Sequence, residues 1–212
     1  MKNTKFFVPL VSWPLATGHW PLGLPQQPAM KHPAQLPRLL LHCCCAPCAS
    51  YVIEHLSPFF EITILYYNPN IFPGAEYNKR KVELNTLLSL AVYPNSVDIL
   101  DCAYDSEAFE AVAMQFRDEP EGGQRCRECF MLRLGETAKR AREGGYDCFA
   151  TTLSVSPHKD AALLNVIGDT LAREYGVEYY QSNFKKRDGY KRSIELSKKY
   201  GLYRQTYCGC KE

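Results

Sequence analysis

Short apolar runs of strand length alternate along this chain with segments of helical periodicity. The strand-like segments are Leu39–Leu41, Ile62–Tyr67, Val97–Leu100, Cys148–Thr152 and Val177–Tyr180. Apolar residues recur at the spacing of a helix face over 49–56, 77–91, 106–116, 127–143, 157–175 and 190–200. Because strands and helices alternate, we predict an α/β protein with a Rossmann-like layered fold, a mainly parallel sheet and helices on both faces.

Residues near the helix ends give more specific expectations. Ser106 stands where the N-cap of the third helix would lie. Ser156-Pro157 is typical of a helix start, which would put His158 and Lys159 in the first turn of the fifth helix. The buried face of the second helix is predicted to carry Val82, Leu84, Leu87, Leu88 and Ala91.

The first 37 residues follow neither period. Their proline and glycine content predicts a loosely structured N-terminal extension, with residues 38–212 forming a single α/β domain. The run from Met1 to Ala16 resembles a signal peptide only weakly, because Pro9 and Pro14 interrupt it. No apolar run reaches the roughly 18 residues of a transmembrane helix, so we expect a cytoplasmic protein without a membrane segment.

Ten cysteines among 212 residues add chemistry to this ordinary α/β pattern. Eight of them fall into three groups, which are Cys43–Cys48, Cys126 with Cys129, and Cys208 with Cys210. In a reducing cytosol, clustered cysteines usually bind metal or carry out redox chemistry. The first group follows the first strand directly, and ligands of open α/β sheets gather at the carboxyl ends of the strands.

The spacing of the cysteines leaves the kind of metal open. Two separated pairs, Cys44-Cys45 and Cys126-x-x-Cys129, could hold a zinc ion in a closed tetrahedron or an iron–sulfur cluster. The spacing alone slightly favours zinc, whereas the cysteines that are left over favour redox chemistry. Cys208-Gly209-Cys210 could form a reducible disulfide. Cys102 and Cys148 each stand alone and are predicted to pack in the core.

Other polar residues near the predicted strand ends give weaker signals. Asp105 follows the third strand and is either a metal ligand or a helix cap. His158 and Lys159 could meet a phosphate at the start of a helix. Although the net charge is only +2, eight Lys and Arg stand against two acids between positions 185 and 204. The candidate nucleic-acid contacts in this region are Lys185, Lys186, Arg187, Lys191 and Arg192.

Several motifs occur in order between residues 38 and 210. They are Cys44-Cys45-Ala46-Pro47-Cys48, Tyr67-Asn68-Pro69-Asn70-Ile71, Asp118-Glu119-Pro120-Glu121-Gly122-Gly123, Arg125-Cys126, Cys129-Phe130, Thr151-Thr152-Leu153-Ser154, Ser156-Pro157-His158-Lys159, Gly189-Tyr190 and the segment from Tyr200 to Cys210. Together they resemble the epoxyqueuosine reductases of the QueH type. The resemblance implies the last step of queuosine synthesis, in which the epoxide oxygen is removed from epoxyqueuosine at the wobble position of tRNA.

The resemblance also implies a set of site residues. A [4Fe–4S] cluster would be held by Cys44, Cys45, Cys126 and Cys129. An additional iron would lie near it, with Cys48 and Asp105 as candidate ligands. Cys208 and Cys210 resemble a redox-active pair. Cys43 departs from the family pattern, which needs only two adjacent cysteines, so the ligand register could shift by one residue.

The sequence is therefore interpreted as a cobalamin-independent tRNA epoxyqueuosine reductase with an unidentified electron donor. Two alternatives stay open at this point. One is a zinc-stabilised RNA-binding module in which the four paired cysteines are structural. The other is a thiol–disulfide oxidoreductase that acts on proteins. Iron with acid-labile sulfide would support the reductase, and stoichiometric zinc the RNA-binding module.

Overall fold

The computed structural model describes residues 36–210. The strands are β1 (Arg38–His42), β2 (Glu61–Leu65), β3 (Val97–Leu100), β4 (Cys148–Thr151) and β5 (Glu178–Tyr179). The helices are α1 (Ala46–Leu56), α2 (Gly74–Leu90), α3 (Glu107–Gln115), α4 (Gln124–Glu143), α5 (Ala161–Tyr175) and α6 (Gly189–Lys199), with a short 3₁₀ helix over Thr152–Val155. The extension predicted for residues 1–37 lies, except for its last two residues, outside the described residues.

The five strands form one parallel sheet in the order β3-β2-β1-β4-β5. The chain builds outward from β1 to β3 and then continues on the other side of β1, so the strand order reverses between β1 and β4. Ligands of such sheets bind in the crevice outside the carboxyl ends of the strands at this reversal. The cysteines after β1 and the segment after β4 therefore lie at the position where a site is expected.

Alternating side chains of the central strand give the protein two hydrophobic cores. Leu39 and Leu41 point to one face, where they pack with residues of α1 and α2. Leu40 points to the other face and packs with residues of α4 and α5. The predicted α/β fold with a parallel sheet covered on both faces is thus confirmed. That residues 38–212 form a single domain stays a prediction.

Two local predictions about the fifth helix are wrong. The fifth helix begins at Ala161 rather than Pro157, because the Asp160 carboxylate accepts from the amides of Ala162 and Leu163 and so defines the helix start. His158 and Lys159 consequently lie in the turn before the helix. Ser106 is the N-cap residue of α3, as predicted, although its side chain makes no capping hydrogen bond.

In the second helix, one residue of the predicted buried face is misplaced. Val82 is 61% exposed, whereas Leu84 and Leu87 are fully buried as predicted. Tyr77 and Arg80 share that buried face at helical spacing and so define it together with the leucines. Among the helices of the described part, none has both the length and the apolar character needed to cross a membrane.

Candidate functional site

Three thiols lie together where β1 passes into α1. The Sγ atoms of Cys44, Cys45 and Cys48 all lie within 4.8 Å of one another, so they could share a metal ion. Cys45 is the extended N-cap residue of α1, and Cys48 stands in the first turn of that helix. Cys43 is buried in the core on the α1 side of the sheet, whereas Cys44 packs against the opposite core. The geometry thus separates Cys43 from the three grouped thiols.

The three thiols differ in pKa. Hydrogen bonds from Cys45 and Cys48 hold the pKa of Cys44 well below its usual range. The same hydrogen bonding with Cys44 raises the pKa of Cys45 and of Cys48. Cys44 is therefore the thiolate of the group, and a thiolate is the form that binds metal.

The second cysteine group begins α4. Cys126 and Cys129 stand one turn apart in the first two turns of that helix, and both are buried. The Gly122 amide donates to Cys126 Sγ at 3.2 Å. A helix N-terminus and a backbone amide both stabilise negative charge on sulfur. The start of α4 therefore offers donors to sulfur, while burial raises the pKa of the Cys129 thiol.

A buried arginine connects the two groups. Arg133 is 2% exposed and donates through Nε to His42 Nε2 at 3.3 Å and through Nη2 to Asn68 Oδ1 at 2.6 Å. Its Nη1 lies 3.9 Å from Cys129 Sγ, and Cys44 is near enough for its negative charge to favour the charged guanidinium. None of the partners that the described residues give Arg133 is a carboxylate. Its charge is therefore directed at sulfur.

His42 is held neutral beneath this arginine. Complete burial, reinforced by the positive charge of Arg133, lowers the pKa of His42 to about 3. His42 Nε2 lies 3.3 Å from Arg133 Nε and 3.2 Å from the Tyr67 carbonyl oxygen, and Nδ1 lies 3.0 Å from Thr151 Oγ1. Asn68 completes the network by donating to the Cys43 carbonyl. The network joins the carboxyl ends of β1 and β4 to α4.

The third cysteine group is held against α2 and the loop before it. Arg80 donates to the Cys208 carbonyl at 3.0 Å, and the Phe72 amide donates to the Gly209 carbonyl at 2.9 Å. Gly209 has φ +102, and a Cβ there would lie 3.2 Å from the Arg80 guanidinium. Only glycine meets both requirements without strain. The backbone around the Cys208 and Cys210 thiols is thus fixed from two sides.

Cys208 and Cys210 form a thiolate–thiol pair. A hydrogen bond from Cys210, together with the positive charges of Lys159 and Arg133, lowers the pKa of Cys208 to about 5 despite its burial. The pKa of Cys210 is raised, first by its hydrogen bond to Cys208 and then by burial. Lys159 Nζ lies 3.4 Å from Cys208 Sγ. Cys208 is therefore the nucleophile of the pair.

We expect Cys208 of the metal-free protein to react with iodoacetamide down to unusually low pH. The rate should rise through about pH 5 and be constant above about pH 6, since only the thiolate reacts. The variant Lys159→Met should move this rise upward by about one to two pH units because the nearby cation is lost. Peptide mass spectrometry measures the rate, and Lys191→Met, which changes an exposed lysine, is the control. A rise near pH 8–9 in the unmodified protein would contradict the assignment.

A cavity of about 490 Å³ opens beside the first and third of these groups, and Cys126, Cys129 and Cys210 are not among the residues that line it. Its walls carry Cys44, Cys45, Cys48 and Cys208 together with five basic residues, which are Arg80, Arg133, His158, Lys159 and Arg204. Its one acidic wall residue, Glu121, pairs with Lys159. Three buried polar atoms on residues of its wall have no partner among the described residues, namely Asn70 Oδ1, Arg80 Nη2 and Gln205 Oε1. Such atoms are expected where a polar ligand binds.

Two aromatic rings also line this cavity. The Arg204 guanidinium lies 5.6 Å from the Tyr190 ring centroid, and the Arg80 guanidinium lies 5.3 Å from that of Tyr207. Both tyrosines are partly exposed. Positive charge combined with exposed rings suits an anionic ligand that contains an aromatic ring.

None of the remaining predicted residues lines the thiol cavity. Asp105 is exposed, and its carboxylate accepts from the Ala108 amide at the start of α3. Arg192 is engaged by Glu54 and Glu195 on the outside of α6. Lys185 Nζ donates to the Lys159 carbonyl. The other three basic residues of this region, Lys186, Arg187 and Lys191, are exposed.

The sequence interpretation missed the residues that organise the cavity. Arg80, Arg133 and Arg204 were not predicted to be site residues, although the two helical arginines are almost completely buried. An arginine within a helix has no pattern of its own, so only the fold reveals it. The one signal was the position of Arg133, one turn after Cys129.

The chain is similar to proteins of one family over nearly all of its described length. A family model described as epoxyqueuosine reductase QueH matches residues 39–211. Epoxyqueuosine reductase QueH of Streptococcus pyogenes serotype M1 is 42% identical over 176 residues, which are 82% of this chain and 69% of that protein. The protein of the same name from Staphylococcus epidermidis is 42% identical over 178 residues, 82% of this chain and 75% of that protein. The one from Thermotoga maritima is 35% identical over 175 residues, 81% of this chain and 88% of that protein.

Proposed function

This chain belongs to the QueH family of epoxyqueuosine reductases, and from this premise we propose that it reduces epoxyqueuosine to queuosine at the wobble position of tRNA. Family membership does not favour the two alternatives, the zinc-stabilised RNA-binding module and the thiol–disulfide oxidoreductase acting on proteins. The single observation that carries the proposal is the convergence of thiols and a buried cation on one basic cavity. A tRNA substrate agrees with the cytoplasmic location expected from the sequence.

The donor set fits an iron–sulfur cluster. Thiolates are the usual ligands of such clusters, and a cluster with four of them carries net negative charge. Arg133, buried without a carboxylate partner and directed at Cys129 and Cys44, supplies the compensating positive charge. We propose a [4Fe–4S] cluster with the ligands Cys44, Cys45, Cys126 and Cys129.

An additional iron is proposed beside this cluster. Cys48 would be one ligand, because its thiol already lies with those of Cys44 and Cys45. Asp105 is the proposed second ligand, and its carboxylate would have to leave the Ala108 amide to reach the metal. When bound, the two centres would supply single-electron transfer and a Lewis acid, with no need for cobalamin.

The pair Cys208 and Cys210 can supply the electrons and protons that the reaction consumes. Removing the oxygen from an epoxide gives an alkene and water, and it consumes two electrons and two protons. Oxidation of two thiols to one disulfide releases two electrons and two protons. Since Cys208 lies at the cavity wall and Cys210 is its hydrogen-bond partner, we propose that they provide these equivalents. An electron donor of unknown identity would then reduce the disulfide for the next turnover.

Charged side chains of the cavity would position the substrate. Lys159 is 9% exposed and stands between Glu121 and Cys208, so its ammonium group can donate to an oxygen within the cavity. Arg204 and Tyr190 form the cation–ring pair on the wall that α6 contributes. We propose that this pair contacts the nucleotide that carries the modified base.

Anaerobic conversion of epoxyqueuosine-containing tRNA tests the proposal. We expect queuosine to appear in the nucleosides after digestion, as measured by mass spectrometry. The purified protein should contain iron and acid-labile sulfide. A colourless protein with stoichiometric zinc and no conversion would favour the RNA-binding module instead. Protein disulfide exchange that proceeds without metal would favour the thiol–disulfide oxidoreductase.

The variant Cys210→Ser should keep the cluster absorbance but lose turnover. The serine cannot form the disulfide, so pre-reduced enzyme without an external donor should convert no tRNA, whereas the unmodified enzyme should convert up to one per dithiol. Cys102→Ser is the matched control, because Cys102 hydrogen-bonds to the Tyr66 carbonyl and does not line the cavity. Normal turnover by Cys210→Ser would remove the dithiol from the mechanism.

A further inference from the structure

A second groove, of about 440 Å³, lies beside the thiol cavity. Its walls are Tyr51, His55, Asn165, Tyr180, Gln181, Ser182, Asn183, Phe184, Lys186 and Arg187. Two of these described wall residues are cationic and none is acidic. The function proposed above does not use this groove.

Aromatic rings form one side of the second groove. The Tyr51 and His55 rings are stacked one helical turn apart on α1, with centroids 5.7 Å apart. His55 also meets Phe184 edge to face at 6.0 Å. Burial, together with the charge of Arg187, lowers the pKa of His55, so its imidazole is neutral at pH 7. Flat, neutral and partly exposed rings offer a stacking surface to an aromatic ligand.

The basic edge of the second groove has a fixed and strained backbone. Arg187 and Asp188 both adopt left-handed conformations, with φ 52 and φ 60, although neither is glycine. Gly189 follows, and a Cβ at that position would overlap the Phe184 carbonyl and the Tyr51 ring. Non-glycine residues in this conformation are concentrated at ligand-binding sites. The turn holds the exposed Arg187 and Lys186 at the groove edge.

Polar atoms without partners lie on the same walls. Asn183 Oδ1 and the Tyr180 hydroxyl are both buried and have no hydrogen-bond partner among the described residues. By contrast, Asn165 Oδ1 accepts from the Ser182 amide, so the wall between them is ordered. Unpaired acceptors beside a ring stack suit the exocyclic groups of a nucleobase.

No residue lines both the second groove and the thiol cavity, but Lys185 connects their walls. The Lys185 amide donates to the Ser154 carbonyl, and Lys185 Nζ donates to the carbonyl of Lys159, which lines the thiol cavity. Its sequence neighbours Phe184 and Lys186 line the second groove. A single chain of nucleotides could therefore cross from one site to the other.

We propose that the second groove binds an unpaired nucleotide of the same tRNA anticodon loop that presents epoxyqueuosine to the thiol cavity. The base stacks on His55 and Tyr51, and the phosphate meets Arg187 and Lys186. This inference rests on the proposed function for the identity of the RNA. It commits to a single-stranded nucleotide because stacking requires a base that is free of its helix.

The test measures binding of an anticodon stem-loop RNA with guanosine at the wobble position to the full-length, metal-loaded protein. By fluorescence anisotropy at several salt concentrations, Arg187→Gln should weaken binding severalfold and reduce the salt slope by about 0.7–0.9. His55→Leu should weaken binding by roughly 5- to 100-fold with an unchanged slope. Lys198→Gln, which changes an exposed lysine in the last turn of α6, should behave as the unmodified protein.

A fully paired RNA of the same length separates stacking from charge. His55→Leu should leave its affinity unchanged, whereas Arg187→Gln should still weaken it. Unchanged stem-loop affinity in both variants, with native circular dichroism, would overturn the proposal. If the unmodified enzyme converts tRNA and the variants bind normally, the groove proposal alone fails. If no conversion occurs but the variants bind weakly, the groove remains an RNA site and the proposed reaction fails.

Discussion

Replacing Arg133 by methionine should lower the free energy of unfolding of the iron-loaded protein by about 3–5 kcal/mol, because the negative charge of the cluster would remain buried without its cation. His42 Nε2 and Asn68 Oδ1 would lose their donor in the same variant. The iron content of the purified protein should fall as well. Anaerobic guanidinium denaturation followed by circular dichroism, together with iron analysis, measures both effects.

Arg140→Met is the matched control for this prediction. Arg140 lies two turns further along α4 and pairs with Glu136 near the surface, with 32% of its side chain exposed. Such a pair contributes about 0–1 kcal/mol, so the control should keep its iron. Equal losses of stability in the two variants would show that Arg133 has no special relation to the metal site.

The variant Cys126→Ala should lose the proposed iron–sulfur cluster and the activity together. The thiol of Cys126 is buried at the start of α4 and accepts from the Gly122 amide, and alanine offers no ligand in its place. Iron and acid-labile sulfide should fall to background, and tRNA conversion should become undetectable. Visible absorbance, metal analysis and nucleoside mass spectrometry measure these losses.

Cys102→Ala separates loss of a ligand from loss of a thiol in general. Cys102 is partly buried and donates to the Tyr66 carbonyl, so its replacement should cost about 1 kcal/mol and leave the iron in place. If the Cys126→Ala protein retained its full iron content, another of the clustered cysteines would have to be the ligand. Cys48 would then be the first candidate, since its thiol already lies beside those of Cys44 and Cys45.

Local chemistry explains how far the fold could be predicted from the sequence. The strand at Val97–Leu100 was predicted to the residue, because its apolar residues lie between the polar residues Ser96 and Asp101. The start of the fifth helix was missed because two competing signals stand four residues apart, and the Asp160 cap prevails over Ser156-Pro157. Val82 was misplaced because two fully buried leucines fix the helix orientation and leave valine outside.

The sequence singled out the cysteines, His158 and Lys159 of the cavity wall but not its three arginines. Cysteine spacing is visible along the chain, and the order of strands brings its groups to one edge of the sheet. Arg133 depends on His42, 91 positions before it, and on Asn68, 65 positions before it. Arg80 depends on the Cys208 carbonyl, 128 positions after it. Local sequence patterns do not predict contacts between residues so far apart along the chain, so the role of these arginines is visible only in the folded structure.

The separation of the two thiol pairs along the chain also bears on the order in which the protein is assembled. Cys44 follows β1 and Cys126 begins α4, so two parallel strands and their crossover helices separate the two thiol pairs along the chain. Contacts between distant segments form late in folding because a long loop must close first. Binding of the proposed metal is therefore expected to follow folding, and a refolded apoprotein should be able to accept iron and sulfide.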